Sequence, residues 1–182
     1  SAGLHVCILS RGFRGSRSRE GAVVAAGNGA TLGVAEVGDE PFLMAQKLPG
    51  VPVIVGRDRR VTGRLAVERF RPDMIILDDG MQYYQLHRDV DIVLVSASRP
   101  FGNGLPLPAG VLREPADHLR RASCIVVNDD VGTSVSEAMA HIMSVVGDMS
   151  VFVGRYVATS VYEVPDGQCV PLERLASAKV AT

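Results

Sequence analysis

Tryptophan is missing from this 182-residue sequence, aromatic residues make up only 5% of it, and lysine occurs just twice, at Lys47 and Lys179. With 47% hydrophobic residues, the core must therefore come from Val, Ile, Leu and Ala, a composition of sheets covered by helices and not of a disordered or fibrous chain. Cysteine is sparse as well. Cys7, Cys124 and Cys169 show no Cys-x-x-Cys spacing, which argues against a disulfide framework or a thiolate metal site. Two of them lie in apolar runs, which predicts buried, reduced thiols in a cytosolic setting. No apolar run approaches the roughly 18 residues a membrane-spanning helix needs. The N-terminus also lacks the layout of a signal peptide, so any membrane contact is expected to be peripheral or to come from a part outside this sequence. The formal net charge of −1 supplies no global field for nucleic acid, and none is expected as a partner. No Gly-x-x-x-x-Gly-Lys-Ser/Thr segment occurs; Gly12-Phe13-Arg14-Gly15-Ser16 is glycine-rich but has no lysine in place. His5, His87, His118 and His141 do not fall at metal-ligand spacings.

What is present is a repeated alternation. Short, β-branched apolar runs recur at Leu4–Leu9, Val51–Val55, Met74–Leu77, Ile92–Val95 and Cys124–Val127, each bounded by Gly, Pro, Asp or Asn. They read as buried parallel strands. Helical patterns lie between them at Pro41–Leu48, Val61–Phe70 and Ser134–Val146, as in a doubly wound α/β sheet. The Gly- and Ala-rich stretch before Pro41 reads as a long loop holding a short strand at Ala22–Ala25. A second loop, Ser98–Pro115, is crowded with Gly and Pro and follows a strand, which predicts that it overlies the carboxyl edge of the sheet. From Val151 to Val164, followed by a Pro-Asp-Gly turn, the pattern changes to that of a hairpin and the start of a β-rich appendage.

Several segments carry chemistry. Asp73-Met-Ile-Ile-Leu-Asp78-Asp79-Gly80 has the form of a Walker B element, in which a strand delivers carboxylates to hold Mg²⁺ beside a nucleotide phosphate. The plainer reading is a pair of acids capping a turn. Gly38-Asp39-Glu40-Pro41 fits a helix start, with Asp39 or Glu40 as cap and Pro41 in the first turn; the same acids could act as a general base toward a sugar hydroxyl. Phe101-Gly102-Asn103-Gly104, Leu107-Pro108-Ala109-Gly110 and Leu112-Arg113-Glu114-Pro115 allow close backbone approach and offer a guanidinium and a carboxylate, or else form a structural loop with a surface ion pair. Arginines cluster at Arg11, Arg14, Arg17 and Arg19 and again from Arg57 to Arg71, either to bind phosphate or to solvate a surface.

Taken in order, Ser10-Arg11-Gly12-Phe13, Val37-Gly38-Asp39-Glu40-Pro41, Ile76-Leu77-Asp78-Asp79-Gly80-Met81-Gln82, Phe101-Gly102-Asn103-Gly104 and Leu107 to Pro115 resemble the tetraacyldisaccharide 4'-kinases, the lipid A 4'-kinases. The resemblance implies a P-loop-kinase-like α/β fold with a mostly parallel sheet and flanking helices, here partial. It implies a kinase core over 1–148, truncated at the front, and the start of a β-rich subdomain over 149–182. It implies transfer of the ATP γ-phosphate to the 4'-hydroxyl of tetraacyldisaccharide 1-phosphate, with Mg²⁺, at the cytoplasmic face of the bacterial inner membrane, where the protein is peripheral. Carried over by residue, Asp39 is the catalytic base with Glu40 its neighbour; Asp78, Asp79 and Glu114 serve the metal; Arg59, Arg113, Gln82 and Asn103 contact phosphate or substrate. The family's P-loop and amphipathic docking helix precede the Ser-Arg-Gly segment, and a later His-bearing segment follows, so the chain is expected to be a fragment. Tyr83 stands where the family has His, and cannot titrate near neutral pH. The other reading is a non-catalytic homologue that binds a phosphorylated or acylated partner.

Overall fold

The computed structural model describes residues 3–129, 135–157, 160–162 and 168–171. The chain divides into two compact units, Ser1–Asp89 and Val90–Thr182.

In the first unit, β1 (Val6–Ser10), β2 (Ala22–Ala26), β3 (Pro52–Val55) and β4 (Met74–Leu77) form one sheet in the order β2-β3-β1-β4. β1 pairs parallel with both β3 and β4, with Ile8 opposite Val53 on one side and Ile76 on the other. The strand expected at Ala22–Ala25 is present as β2, but it runs antiparallel to β3, with an irregularity between Val23 and Ala25. A short helix α1 (Val34–Val37) leads into α2 (Asp39–Lys47), and α3 (Arg59–Phe70) connects β3 to β4.

Strand alternation sends side chains to opposite faces, and each face finds its own cover. Ile8, Val53, Val55, Val24 and Ala25 join Val37 of α1 and Ala45 of α2 on one face. Cys7, Leu9 and Ile54 join Ala66 of α3 on the other. Leu9 and Ile54 are fully buried, each contributing about 1.5–3 kcal/mol relative to exposure. Burial pushes the Cys7 thiol up to about 11, so it stays neutral and inert in the core.

In the second unit, β5 (Ile92–Ser96), β6 (Cys124–Asn128) and β7 (Val151–Gly154) form a parallel three-stranded sheet. A 3₁₀ segment (Ala116–Arg121) and α4 (Val135–Val146) pack on it through Ile125, Val127, Ala138 and Ile142. The sequence suggests a hairpin from Val151; instead Val151–Gly154 continues the parallel sheet, because its apolar residues pair in register with Ile125–Asn128. A separate antiparallel pair follows, β8 (Val161–Tyr162) with β9 (Cys169–Val170). The Pro-Asp-Gly turn between them and Ser134, expected to start α4, lie outside the described residues.

The strands were also expected to be buried, and two of them are so on one face only. Met74 and Ile76 of β4, and Ile92 and Leu94 of β5, remain exposed because no described helix of their own unit lies over them. Of the cysteines, Cys7 is buried, Cys124 half-buried and Cys169 exposed; all are free thiols. Among the described residues no helix is long and apolar enough to cross a membrane.

Candidate active site at the carboxyl edge of the first sheet

Because β1, β3 and β4 are parallel, their carboxyl ends share one edge, the usual ligand edge of such sheets. β1 ends at Ser10, β3 leads through Gly56 to the start of α3, and β4 delivers Asp78 and Asp79. The Asp78 N–H donates to the Leu9 carbonyl at 2.9 Å, which extends the ladder one step past β4. Ser10, almost fully buried, donates its Oγ–H to Asp78 Oδ2 at 2.7 Å and accepts the Gly12 N–H at 3.5 Å. One carboxylate oxygen is thereby fixed in direction. Asp79 follows in the left-handed region at φ 51°, a conformation that Asp tolerates better than most residues, and Gly80 lies so close to Leu77 that a Cβ would sit 2.6 Å from the Leu77 Cβ.

Asp39 reaches the same edge by another route. Gly38, at φ 91°, precedes α2, and a Cβ there would stand 2.5 Å from the Phe13 carbonyl oxygen. Gly12 packs within 3.1 Å of the Val37 oxygen on the same measure, and Gly15 against Glu36 and Val37. The turn after β1 and the mouth of α2 are thus in backbone contact, and the chain of contacts runs from Asp78 through Ser10 and Gly12 to the residue before Asp39. The helix begins at Asp39, so its N-cap is Gly38 and neither acid caps it through a side chain, contrary to the reading of Asp39 or Glu40 as cap. Both are exposed in the first turn, where acids complement the helix dipole, and Asp39 Oδ1 accepts the Glu40 N–H at 3.1 Å.

Arg59 occupies the floor of this edge. It is 3% exposed, donates from Nη1 to the Gly56 carbonyl at 3.1 Å and from Nη2 to the Asp78 carbonyl at 3.3 Å, and its buried Nε has no partner among the described residues. Burial lowers its pKa, while Asp78 and Asp79 oppose that shift. The sequence points to Arg59 as an anion contact; in the structure two of its nitrogens are bonded to backbone carbonyls. Asp58, which belongs to none of the ordered family-like motifs, is the N-cap of α3: its carboxylate accepts from the Arg60 backbone and side chain and from the Tyr83 hydroxyl. Those bonds hold it well below the usual carboxylate range, Arg60 first and Tyr83 second. Its signal was legible, since an Asp immediately before an arginine-rich helical run is a start mark.

The remaining arginines divide. Arg14 stacks on Phe13, Arg17 pairs with Glu20 and Glu36, Arg60 with Asp58, and Arg69 lies over Phe70, so those four are engaged locally. Gln82 is exposed on the loop beyond Gly80.

The other expected site residues belong to the second unit. Asn103 uses both ends of its amide within its own loop, donating to the Ala109 carbonyl at 2.9 Å and accepting the Leu105 N–H at 3.2 Å, so there it acts as a staple. Gly110 leaves no space for a Cβ against Asn103 and Leu105. Glu114 is mostly buried, with His118 Nδ1 at 2.8 Å and Arg121 Nη1 at 2.6 Å from its carboxylate. Arg113 beside it is exposed.

Among the described residues no three His, Cys, Asp or Glu side chains cluster as a ready-made metal cage. Mg²⁺ does not require one: it is commonly held by one or two carboxylates, water and substrate phosphate. The oxygen donors of Asp78 and Asp79 fit that pattern, with Ser10 orienting one of them.

The sequence and the fold find their counterpart in known proteins. A profile of LpxK, tetraacyldisaccharide-1-P 4'-kinase, matches residues 1–181. The chain belongs to this family. A tetraacyldisaccharide 4'-kinase of Geobacter sulfurreducens is 39% identical over 173 residues, which is 95% of this chain and 47% of that protein. One from Syntrophobacter fumaroxidans is 41% identical over 178 residues, covering 97% and 46%. The chain spans about half the length of the curated tetraacyldisaccharide 4'-kinases it matches. The crystal structure of the "apo" form of Aquifex aeolicus LpxK in complex with ATP superposes with a TM-score of 0.73 at 34% identity, over 97% of this chain and 52% of the other. The P-loop-kinase-like α/β architecture is thereby that of the LpxK family.

Proposed function

We propose that this protein takes part in phosphorylating the 4'-hydroxyl of tetraacyldisaccharide 1-phosphate, with ATP as donor, in lipid A biosynthesis. The observation that carries the reading is the contact chain from Asp78 through Ser10 and Gly12 to the mouth of α2, which ties the strand-end acids to Asp39 in a member of this kinase family.

Phosphoryl transfer asks mainly for positioning and charge stabilisation. Asp39, exposed in the first turn of α2, accepts the proton of the attacking 4'-hydroxyl, and Glu40 beside it adds negative charge. The 4' oxygen bonds to the γ-phosphorus as the bond to ADP breaks. Asp78 and Asp79 would hold Mg²⁺, which would neutralise charge on the transferring phosphoryl group. Arg113 and Gln82, both exposed, contact phosphate or sugar. Within its own unit Glu114 is held by His118 and Arg121. The acceptor's acyl chains call for a membrane surface and the ATP donor for its cytoplasmic side, which together favour a peripheral protein at the cytoplasmic face of the inner membrane.

The test is 4'-phosphate formation by the complete protein from ATP and the tetraacylated disaccharide 1-phosphate. Asp39→Ala is expected to lower kcat about 10²–10⁴-fold, the span typical of a lost general base, and Asp78→Ala to act mainly through Mg²⁺ dependence. Full activity in both variants refutes the assignment; binding of the lipid without turnover favours a non-catalytic homologue.

A further inference from the structure

Tyr83 sits four residues beyond Asp79 and joins two segments that the site depends on. Its hydroxyl donates to Asp58 Oδ1 at 2.8 Å and accepts the Arg59 N–H at 3.1 Å. Its ring lies beside the Arg59 guanidinium, 5.8 Å from carbon to ring centre. The main chain of Tyr83 is fixed in turn. Its N–H donates to the Gly80 carbonyl at 2.9 Å, and its own carbonyl accepts Arg88 Nη1 at 2.6 Å. Arg88 also reaches the carbonyls of Leu86 and Met81, at 3.1 and 3.5 Å, which draws the 81–86 loop together around one guanidinium.

One end of Tyr83 is therefore anchored in the loop that continues from Asp78-Asp79-Gly80, and the other in the first turn of α3. Arg59 lies between those ends, under the Asp78 carbonyl. A backbone N–H in the first turn of a helix has no partner within the helix, and a buried donor without one is costly. The hydroxyl supplies that partner for Arg59 and at the same time steadies the carboxylate that caps Arg60.

We infer that Tyr83 is a positioning residue, whose hydroxyl clamps the start of α3 and so keeps Arg59 seated against the backbone that presents Asp78 and Asp79. The inference rests on the phosphotransfer reading for its effect on turnover, and on geometry alone for the clamp. Phenylalanine keeps the ring and removes the hydroxyl's bonds to Asp58 and Arg59, together with a long contact to Gln85 at 3.4 Å, so Tyr83→Phe isolates the clamp. In the complete protein this variant is expected to lower kcat/KM about tenfold, while melting falls by only a few degrees.

A double-mutant cycle separates positioning from general weakening. If Tyr83 acts through Arg59, Tyr83→Phe costs nothing further once Arg59→Lys is present; fold-losses that multiply overturn the inference. So does Tyr83→Phe with wild-type kcat and KM. A second measurement needs no turnover. Exchange of the Arg59 Nε–H with solvent, followed by ¹⁵N NMR, is expected to be slow in the wild type and at least about tenfold faster in Tyr83→Phe; equal rates overturn the clamp. If the wild-type protein forms no 4'-phosphate, the kinase reading fails while this comparison still decides the role of Tyr83.

Discussion

The two sheets use the same strand vocabulary and end up covered differently. In the first unit the β1–β3 centre is sandwiched, with α1 and α2 on one face and α3 on the other. In the second, α4 and the 3₁₀ segment cover the Val95–Ile125–Val127 face. The opposite face presents a row in register, Leu94 beside Val126 beside Phe152, with Leu94 63% and Phe152 57% exposed. Parallel sheets ordinarily carry cover on both faces. The polar network of Ser10, Arg59 and Asp78 belongs to the sandwiched sheet, where rigid packing behind each strand end can hold a side chain in one direction. An apolar run reports that both faces of a strand suit burial; it does not report which face finds a partner.

Substitutions can break or sharpen that contrast. The largest effect belongs to the covered faces: Leu9→Ala in the first unit and Ile125→Ala in the second, both fully buried, should each destabilise by about 2–5 kcal/mol in urea unfolding. Leu94→Ala, on the open face, should stay within about 0.5 kcal/mol. A Leu94 loss as large as that of Ile125 would mean that the face is covered in solution. Next comes Gly38→Ala, which places a Cβ 2.5 Å from the Phe13 oxygen in a left-handed conformation; a loss above about 1 kcal/mol is expected, and none would show that the turn after β1 can move away. The smallest effect is at Asp58, on the exposed rim of the first unit. Its folded pKa lies below the unfolded value near 4, so its contribution is complete above that pH and fades as pH falls further. Asp58→Ala should thus melt lower than wild type at pH 7, with the gap narrowing toward pH 2.

Much of this was legible from residues alone. The β-branched runs at 6–10, 52–55, 74–77, 92–96 and 124–128 and the three main helices lie within a residue or two of where periodicity puts them. The acids at 78–79 were readable because a strand followed by Asp-Asp-Gly can end in few ways. What stayed hidden depends on partners distant in sequence. Ser10 gains its role only when β1 pairs with β4, sixty-eight positions away from Asp78. The bonds by which the Asn103 amide holds its own loop, to Ala109 and Leu105, depend on a loop conformation that the residue pattern does not encode. The Val151 strand looks like half of a hairpin because β-propensity does not encode direction, and its parallel partner at Ile125 is decided by tertiary packing.

The contact between Gly38 and the Phe13 carbonyl has a consequence for how such a protein can diverge. Two stretches some twenty-five positions apart share one backbone-to-backbone surface, with no flexible side chain between them to absorb a change. A drift in the 12–15 turn must be answered at the mouth of α2, or Asp39 shifts with it. A substitution that adds bulk in either stretch is therefore expected to need a matching change in the other, which couples the arginine-bearing loop to the acid-bearing helix.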